Sequence, residues 1–192
     1  VVRLGQGVDK TGQFHPDAIT RTLAAVDLYA AEIAKRGVEK IRFCATSATR
    51  DATNRDLFIN GVKERLGIEP EVIPGEVEAA LSFQGATKDF NKNEGPFLVI
   101  DIGGGSLEIA SGIDEAPEVA VTLPLGASRL TKSHLQGDPF TPKSVRALRD
   151  YIETQLESVL PALVRHEDSD RAIATSKTLR TLARLCGDWY GG

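Results

Sequence analysis

The sequence predicts an α/β fold divided between two domains. Short apolar segments alternate with longer segments in which apolar residues recur at helical spacing, and this alternation is typical of α/β proteins. The polar stretch 89–96, which contains Asn, Gly and Pro, separates two such series and is the predicted linker. We therefore predict one domain over residues 1–90 and a second over residues 91–192.

The first domain is predicted to begin with a helix over residues 17–35. Its apolar residues fall on one face, and Gly37 follows as a helix-ending signal. A strand over residues 40–45 then leads into a loop over residues 46–50, which is rich in hydroxyl groups. The remaining elements predicted for this domain are a helix over 54–66, a strand over 71–73, a turn at 74–75 and a helix over 76–86.

The second domain is predicted to begin with a buried strand over residues 97–101, which runs directly into three glycines. A long helix should follow Thr141, because Pro142 is tolerated in a first helical turn, and Pro161 should kink or end that helix. The remaining elements predicted for this domain are strands over 106–111, 118–123 and 171–175 and a helix over 176–185.

The composition excludes several classes of protein. The net charge of −4 argues against a general nucleic-acid binder, and no apolar run reaches the roughly 18 residues of a membrane span. The first residues lack a signal-peptide pattern, and Cys44 and Cys186 cannot make a disulfide framework. We therefore expect a cytoplasmic protein with no nucleic-acid or membrane partner.

Because the chain contains no methionine, we interpret it as an internal segment of a longer protein.

The strongest chemical signal is a glycine-rich turn flanked by acids. The residues that form it are Asp101, Gly103, Gly104, Gly105, Ser106 and Glu108. Glycine permits positive φ and close approach to a ligand, and successive N–H groups in such a turn form an anion site. The carboxylates suit Mg²⁺, which takes one or two protein carboxylates together with phosphate oxygens. The alternative is a hairpin without a ligand, but three adjacent glycines exceed what a plain turn needs, so we favour a phosphate site.

Two charged residues outside this turn are weaker candidates. Arg50 is the last residue of the hydroxyl-rich loop, where a guanidinium could bind phosphate or simply pair with Asp51. Glu78 lies near the start of the helix predicted over 76–86, where a carboxylate could orient water or merely favour the helix dipole. Because Glu78 is predicted to lie beyond the first turn, capping explains it less well than it explains Glu76.

A basic helical face near the C-terminal end is the fourth signal. If Ser176 begins a helix, then Lys177, Arg180 and Arg184 share one face at positions i, i+3 and i+7. The N–H groups at a helix start also favour anions. These residues fit either a phosphate site or an ordinary solvated face, and the sequence leaves both interpretations open.

Together the motifs resemble those of the exopolyphosphatase/guanosine-pentaphosphatase (Ppx/GppA) family, with the actinobacterial exopolyphosphatase branch the nearest. The motifs that carry the resemblance are A-T-S-A-x-R-D-A-x-N at 45–54, I-x-G-x-x-E-A at 73–79, D-I-G-G-G-S-x-E at 101–108, P-L-G-A-x-R-L at 124–130 and T-S-x-T at 175–178. They extend along nearly the whole chain, so the set is far more specific than any single motif.

The resemblance implies the fold of the actin-like ATPase superfamily, with parts of two ribonuclease-H-like lobes around a cleft. It implies that Glu78 is the catalytic base, that Arg50 binds phosphate, and that the carboxylates of the glycine-rich turn hold Mg²⁺ or Mn²⁺. It also implies a homodimer. The residues thereby assigned are Asp101 and Glu108 for the metal, and Gly103, Gly104, Gly105 and Ser106 for a second phosphate loop, to which Lys177 adds a positive charge.

Some residues depart from the family pattern. Val77 stands where many members have a further glutamate, Leu107 replaces the common threonine, and Ala174 and Lys177 replace glycines. The family's first phosphate loop, D-x-G-x-N-S, is expected upstream of residue 1. We therefore expect the 192-residue chain to be inactive by itself.

Three functional hypotheses follow. The first is hydrolysis of the terminal phosphoryl group of inorganic polyphosphate, a reaction that depends mainly on positioning and charge stabilisation. The second keeps this chemistry but takes guanosine pentaphosphate or a nucleoside triphosphate as the substrate. The third is a polyphosphate- or nucleotide-binding protein without turnover, which would explain the departures from the family pattern as losses.

Overall fold

The computed structural model describes residues 2–91, 96–163 and 171–187. The chain divides into two compact units, Val1–Pro74 and Gly75–Gly192. The boundary therefore falls before residue 75, and not at the predicted position between residues 90 and 91. The physical reason is that the helix Gly75–Thr87 packs its buried residues against strands of the second unit. The predicted linker 89–96 thus lies inside the second unit, and its residues 92–95 lie outside the described residues.

The first unit surrounds a short parallel strand pair with helices. Cys44 on the first strand is paired with Glu71 on the second, and Phe14 and Phe58 meet edge to face in the core beside them. The elements of this unit are α1 (Val8–Thr11), α2 (Pro16–Arg36), β1 (Cys44–Ala45), α3 (Ser47–Asp51), α4 (Arg55–Leu66) and β2 (Glu71–Val72).

The predicted helices of the first unit are confirmed, and its predicted strand is shortened. Helix α2 begins where His15 Nδ1 accepts the N–H of Asp17 at 3.2 Å, and it ends at Gly37 with a φ of 62°. The predicted loop over residues 46–50 is instead largely the short helix α3, because the N–H groups of Thr49 and Arg50 donate to the carbonyl of Thr46. Only residues 44–45 of the predicted strand 40–45 are paired.

The second unit is built on a four-stranded sheet in which the strands lie in the order β5 (Val119–Leu123), β4 (Leu107–Gly112), β3 (Phe97–Ile102) and β6 (Arg171–Thr175). Strands β3 and β4 and strands β4 and β5 pair antiparallel, whereas β3 and β6 pair parallel. The elements are α5 (Gly75–Thr87), β3 (Phe97–Ile102), β4 (Leu107–Gly112), β5 (Val119–Leu123), α6 (Ala127–His134), α7 (Pro142–Glu157), α8 (Leu160–Leu163), β6 (Arg171–Thr175) and α9 (Ser176–Cys186).

The two faces of this sheet carry separate cores, because successive side chains on a strand project to opposite faces. On one face Phe97 and Val99 pack with Ala79 and Phe83 of α5. On the other face the buried residues of β4 and β5 pack with apolar residues of α6 and α7. The buried members of this second core are Leu107, Ile109, Leu123, Leu125 and Leu130.

Most elements predicted for the second unit are confirmed. Helix α7 begins with Pro142 after Thr141, whose side chain accepts the N–H of Ser144 at 3.2 Å, and it ends before Pro161. Helix α6 was not predicted, since its eight residues include few apolar ones. Within the described ranges, none of the helices combines the length and the hydropathy that a membrane span requires.

Candidate active site

A row of polar side chains crosses one end of the sheet in the second unit. Asp101 on β3 lies opposite Glu108 on β4, and Glu108 lies opposite Thr122 on β5. Asp101 is also paired with Thr175 on β6. Residues paired across neighbouring strands project from the same face, so these four side chains form what we call the polar row, on the face that α5 covers. The sheet thereby brings together the two predicted metal-binding carboxylates.

Helix α5 lies across the polar row with small and polar residues. Gly75 lies so near Thr122 that an added Cβ would be 2.2 Å from Thr122 Cγ2. Two turns further along, the Ser82 hydroxyl donates to Asp101 Oδ2 at 3.3 Å. Glu78 lies on the turn between them, and its charge acts on Glu108. The helix therefore brings the predicted base to the two predicted metal-binding residues, all within the second unit.

The position of Glu78 differs from the sequence-based prediction in one respect. Helix α5 begins at Gly75, so Glu76 and Glu78 both lie in its first turn, where negative charge is favoured by the helix dipole. Helix geometry therefore accounts for both acids equally well. What separates them is their surroundings, because Glu76 is exposed whereas Glu78 is half-buried and acts electrostatically on Glu108.

Glu108 is a buried carboxylic acid in a negatively charged setting. Only 3% of its surface is exposed, and this burial raises the pKa of its carboxyl group. The negative charges of Glu78 and Asp101 raise the pKa of Glu108 further, whereas hydrogen bonds from Ser106 and Thr122 lower it. The Thr122 hydroxyl lies 3.2 Å from Glu108 Oε1. The negative charges of two further carboxylates thus act on Glu108, and a cation would stabilise this environment.

The loop between β3 and β4 forms what we call the glycine bend, residues 103–106. The N–H of Gly103 donates to the carbonyl of Ser106 at 3.0 Å and closes the bend. The carbonyls of Gly103 and Gly104 accept the N–H groups of Ala127 and Arg129 at the start of α6, each at 3.0 Å. Neither Gly103 nor Gly104 has a φ in the left-handed region, so the bend does not use the positive φ that glycine permits at these two positions.

The orientation of these carbonyls fixes the orientation of the neighbouring N–H groups. Both peptides are trans, and in a trans peptide the C=O and N–H bonds point in opposite directions. The N–H groups of Gly104 and Gly105 therefore point away from α6, and no backbone acceptor for them is found in the described part of the chain. Successive N–H groups directed to one side are an arrangement that binds anions.

Close packing against α6 holds the glycine bend in this orientation. A Cβ added to Gly126, the residue before α6, would lie 2.3 Å from the carbonyl carbon of Gly105 and 2.4 Å from the N atom of Ser106. These contacts are with backbone atoms, which no rotamer change can clear. Only glycine fits at residue 126, and this explains the glycine of the motif at residues 124–130.

Arg50 lies in the first unit and has a structural partner there. Its Nη1 donates to the carbonyl of Ile73 at 2.8 Å, so at least one of its five N–H donors supports the end of β2. Asn54, the last residue of the same motif, bonds both the N–H and the carbonyl of Phe14, at 2.7 Å and 3.1 Å. This motif therefore has a structural role within the first unit.

Lys177 lies in the first turn of α9, directly after the strand that carries Thr175 of the polar row. Its side chain is exposed, as are those of Arg180 and Arg184. The preceding residue, Ser176, has a φ of 78°, a left-handed conformation that is uncommon for residues other than glycine. Topology thus places this basic helix face at the same end of the sheet as Asp101.

The described residues contain no group of three or more His, Cys, Asp or Glu side chains arranged to hold a metal ion. A cation at the polar row would therefore have at most two protein carboxylates as ligands. This fits Mg²⁺, which commonly keeps several waters and binds through one or two carboxylates and substrate phosphates.

A cavity of about 400 Å³ lies at the other end of β3 and α5, against Lys88 and Phe97, and none of the predicted site residues lines it.

The structure also identifies positioning groups that the sequence did not reveal. Ser82, Thr122 and Gly126 each contact a predicted site residue or the glycine bend, and Gly75 contacts Thr122. Gly75 and Gly126 left a signal in the sequence, because each is the glycine of a recognised motif, and neither glycine was assigned a role. Ser82 and Thr122 are ordinary hydroxyl residues in apolar segments.

The fold and the site define an α/β protein in which an anion-binding glycine bend adjoins a cluster of carboxylates. Residues 1–188 match the model of the Ppx/GppA phosphatase family, and the chain belongs to this family.

Two curated relatives come from Mycobacterium tuberculosis. Exopolyphosphatase 1 is 37% identical over 186 residues, which are 97% of this chain and 54% of the relative. Exopolyphosphatase 2 is 40% identical over 190 residues, which are 96% of this chain and 59% of the relative. The chain thus spans little more than half the length of the curated relatives it matches.

Crystal structures of family members share the fold. An exopolyphosphatase-like protein superposes with a TM-score of 0.89 at 36% identity, over 98% of this chain and 61% of that one. A family member from Aquifex aeolicus gives a TM-score of 0.77 at 30% identity, over 100% of this chain and 60% of that one. The predicted α/β fold class is therefore confirmed, and the chain shares its fold with solved structures of the Ppx/GppA family.

Proposed function

We propose that the protein containing this chain is an exopolyphosphatase-type hydrolase, which releases the terminal phosphate of inorganic polyphosphate. The observation that carries the proposal is the juxtaposition of the polar row, the glycine bend and Glu78 within one unit. Asp101 and Glu108 are direct cross-strand neighbours, and the strands that bear them are joined by the bend whose N–H groups face away from α6. The names of the mycobacterial relatives support polyphosphate as the substrate.

Each group has a distinct task in the proposed reaction. The N–H groups of Gly104 and Gly105 bind oxygens of the phosphoryl group that is transferred. Glu78 orients and deprotonates the attacking water, because its half-buried carboxylate lies in the first turn of α5 and acts electrostatically on Glu108. Ser106 supports the site indirectly, because its hydroxyl donates to Glu108.

Asp101 and Glu108 are the residues that would hold Mg²⁺ or Mn²⁺. When bound there, the ion would neutralise charge on the phosphate oxygens. The donor set supports this assignment, since two neighbouring carboxylates and neutral hydroxyls leave excess negative charge at the row. Arg50 and Lys177 remain proposed phosphate-binding residues. A homodimer and a cytoplasmic location likewise remain proposals, as does the inactivity of the 192-residue chain alone.

The role of Glu78 can be tested with a matched pair of substitutions in the first turn of α5. In the full-length protein, Glu78→Gln should lower the rate of phosphate release from polyphosphate by about 10²–10⁴-fold, the usual contribution of a general base. Glu76→Gln removes an exposed acid two residues away and should leave the rate within about threefold. Equal rates for the two variants would show that Glu78 is not the base.

The substrate can be separated from its nearest alternative by competition. Hydrolysis of guanosine pentaphosphate or of a nucleoside triphosphate would need the same chemistry as hydrolysis of polyphosphate. Each nucleotide is therefore supplied together with polyphosphate in one phosphate-release assay. We expect polyphosphate to be hydrolysed preferentially. Preferential hydrolysis of the nucleotide would assign it as the substrate, and tight binding of polyphosphate without release would support a protein that binds but does not hydrolyse.

A further inference from the structure

We propose that Ser82 is a positioning residue, whose hydroxyl holds the Asp101 carboxylate in the orientation required for a divalent cation. This inference rests on the proposed function and concerns the same polar row. The contact is direct, because Ser82 Oγ donates to Asp101 Oδ2 at 3.3 Å. The bond joins residues on two different elements, the helix that bears Glu78 and the strand that ends at the glycine bend.

Helical periodicity makes the position of Ser82 functionally specific. Glu78 and Ser82 are four residues apart, so they lie one turn apart on the same face of α5. Glu78 acts electrostatically on Glu108, while Ser82 bonds Asp101, and these two carboxylates are cross-strand partners. The hydroxyl therefore fixes the lateral position of Asp101 relative to the helix that carries the proposed base.

A purely structural role would not require this hydroxyl. Helix α5 is already attached to the sheet by Ala79 and Phe83, whose exposed fractions are 1% and 0%. Asp101 is only half-buried and repels the neighbouring carboxylate of Glu108, so without a donor its side chain would turn away from Glu108. A bond to Oδ2 leaves Oδ1 available as a ligand. Groups that orient a ligand in this way typically change metal affinity 10–100-fold when they are removed.

The test measures Mn²⁺ binding directly, by the loss of the free-ion signal in electron paramagnetic resonance, with inorganic phosphate present. In the full-length protein, Ser82→Ala should weaken Mn²⁺ binding at least about tenfold. Ser82→Thr restores a hydroxyl at the same position and should bind Mn²⁺ within about threefold of the unaltered protein. Asp101→Asn serves as the reference for loss of a ligand.

A matched control is available on the same helix. The Thr87 hydroxyl donates to the carbonyl of Phe83 at 2.9 Å and does not belong to the polar row. Thr87→Val also deletes a hydroxyl from α5, but it should leave Mn²⁺ affinity unchanged. Thermal denaturation of all variants verifies that each is folded, and alanine at residue 82 should not weaken the helix because it has the highest helix propensity.

The outcomes separate this inference from the proposed function. A tenfold weaker Mn²⁺ affinity in Ser82→Ala, restored by Ser82→Thr, supports the inference even if no phosphate is released from any substrate. Unchanged Mn²⁺ affinity in Ser82→Ala overturns it, even in a fully active phosphohydrolase. Absence of Mn²⁺ binding by the unaltered protein also overturns it, because Ser82 would then have no ligand to position.

Discussion

The start of α5 gives the sharpest test of how the site is positioned. In Gly75→Ala the new Cβ would lie 2.2 Å from Thr122 Cγ2 and 2.6 Å from Thr122 Cβ, whereas ordinary contact begins at 3.4 Å. Rotation of the Thr122 side chain can move Cγ2, but it leaves Cβ in place and breaks the hydroxyl bond to Glu108. The helix start must therefore shift by at least about 0.8 Å even after this rotation.

That displacement has a predictable cost. Overpacking of this kind destabilises proteins by about 1–3 kcal/mol, and misplacement by about 1 Å can lower a catalytic rate by about 10²-fold. Because Glu78 lies three residues after Gly75, it moves with the helix start. We therefore expect Gly75→Ala to lower the melting temperature by several degrees and to slow phosphate release by about 10–100-fold in the full-length protein.

A second glycine on α5 provides the control. Gly85 is exposed, and an added Cβ there meets no atom within 4 Å. Gly85→Ala should stabilise the helix by up to about 1 kcal/mol and leave the rate unchanged. The two variants are compared by thermal denaturation and by phosphate release from polyphosphate. If Gly75→Ala matched Gly85→Ala in both assays, the close contact between α5 and Thr122 would be refuted, together with the positioning argument built on it.

Three further predictions concern the glycine bend, the polar row and the start of α9. Gly126→Ala should slow phosphate release at least about tenfold, because the added Cβ clashes with the backbone of Gly105 and Ser106. The circular dichroism spectrum should be unchanged, and an unaltered rate would contradict the packing of the bend. Glu108→Gln should raise the melting temperature in metal-free buffer at neutral pH. The raised pKa of Glu108 means that its charged form is disfavoured in the folded state. The gain in melting temperature should therefore disappear as the pH falls below 4.5, where the carboxyl group is protonated in both states. A gain that did not depend on pH would exclude this cause. Ser176→Gly relieves the strain of a left-handed φ of 78° and should raise the free energy of unfolding by about 1 kcal/mol, measured by denaturant unfolding. A lower free energy of unfolding would show that the contacts of the serine side chain contribute more than the backbone strain costs.

Local sequence was sufficient to predict that two of the candidate site residues lie close together. Asp101 and Glu108 flank one short glycine-rich turn, and a tight connection between two strands makes their carboxylates cross-strand partners. Glu78 was identified through the family motif. The sequence nevertheless assigned it to the wrong unit, because only packing shows that α5 belongs with the sheet of the second unit.

The supporting contacts could not be predicted, because they join residues distant in the sequence. Ser82 bonds Asp101 across 19 positions, and Thr122 bonds Glu108 across 14 positions. Neither hydroxyl belongs to a motif, and each depends on the register of a strand against a helix or another strand. Gly126 was visible as part of a motif, but its close approach to the bend appears only once α6 is placed.

Strand register in the second unit has a consequence for how the protein reaches its active form. A slip of one residue between β3 and β4 would turn every side chain of β4 to the opposite side and present Leu107 or Ile109 to Asp101 in place of Glu108. Such a misfolded chain would lose its acidic pair and bury a carboxylate among leucine and isoleucine at the same time. One strand pairing therefore determines both the acidic pair of the candidate site and the burial of apolar side chains on the opposite face.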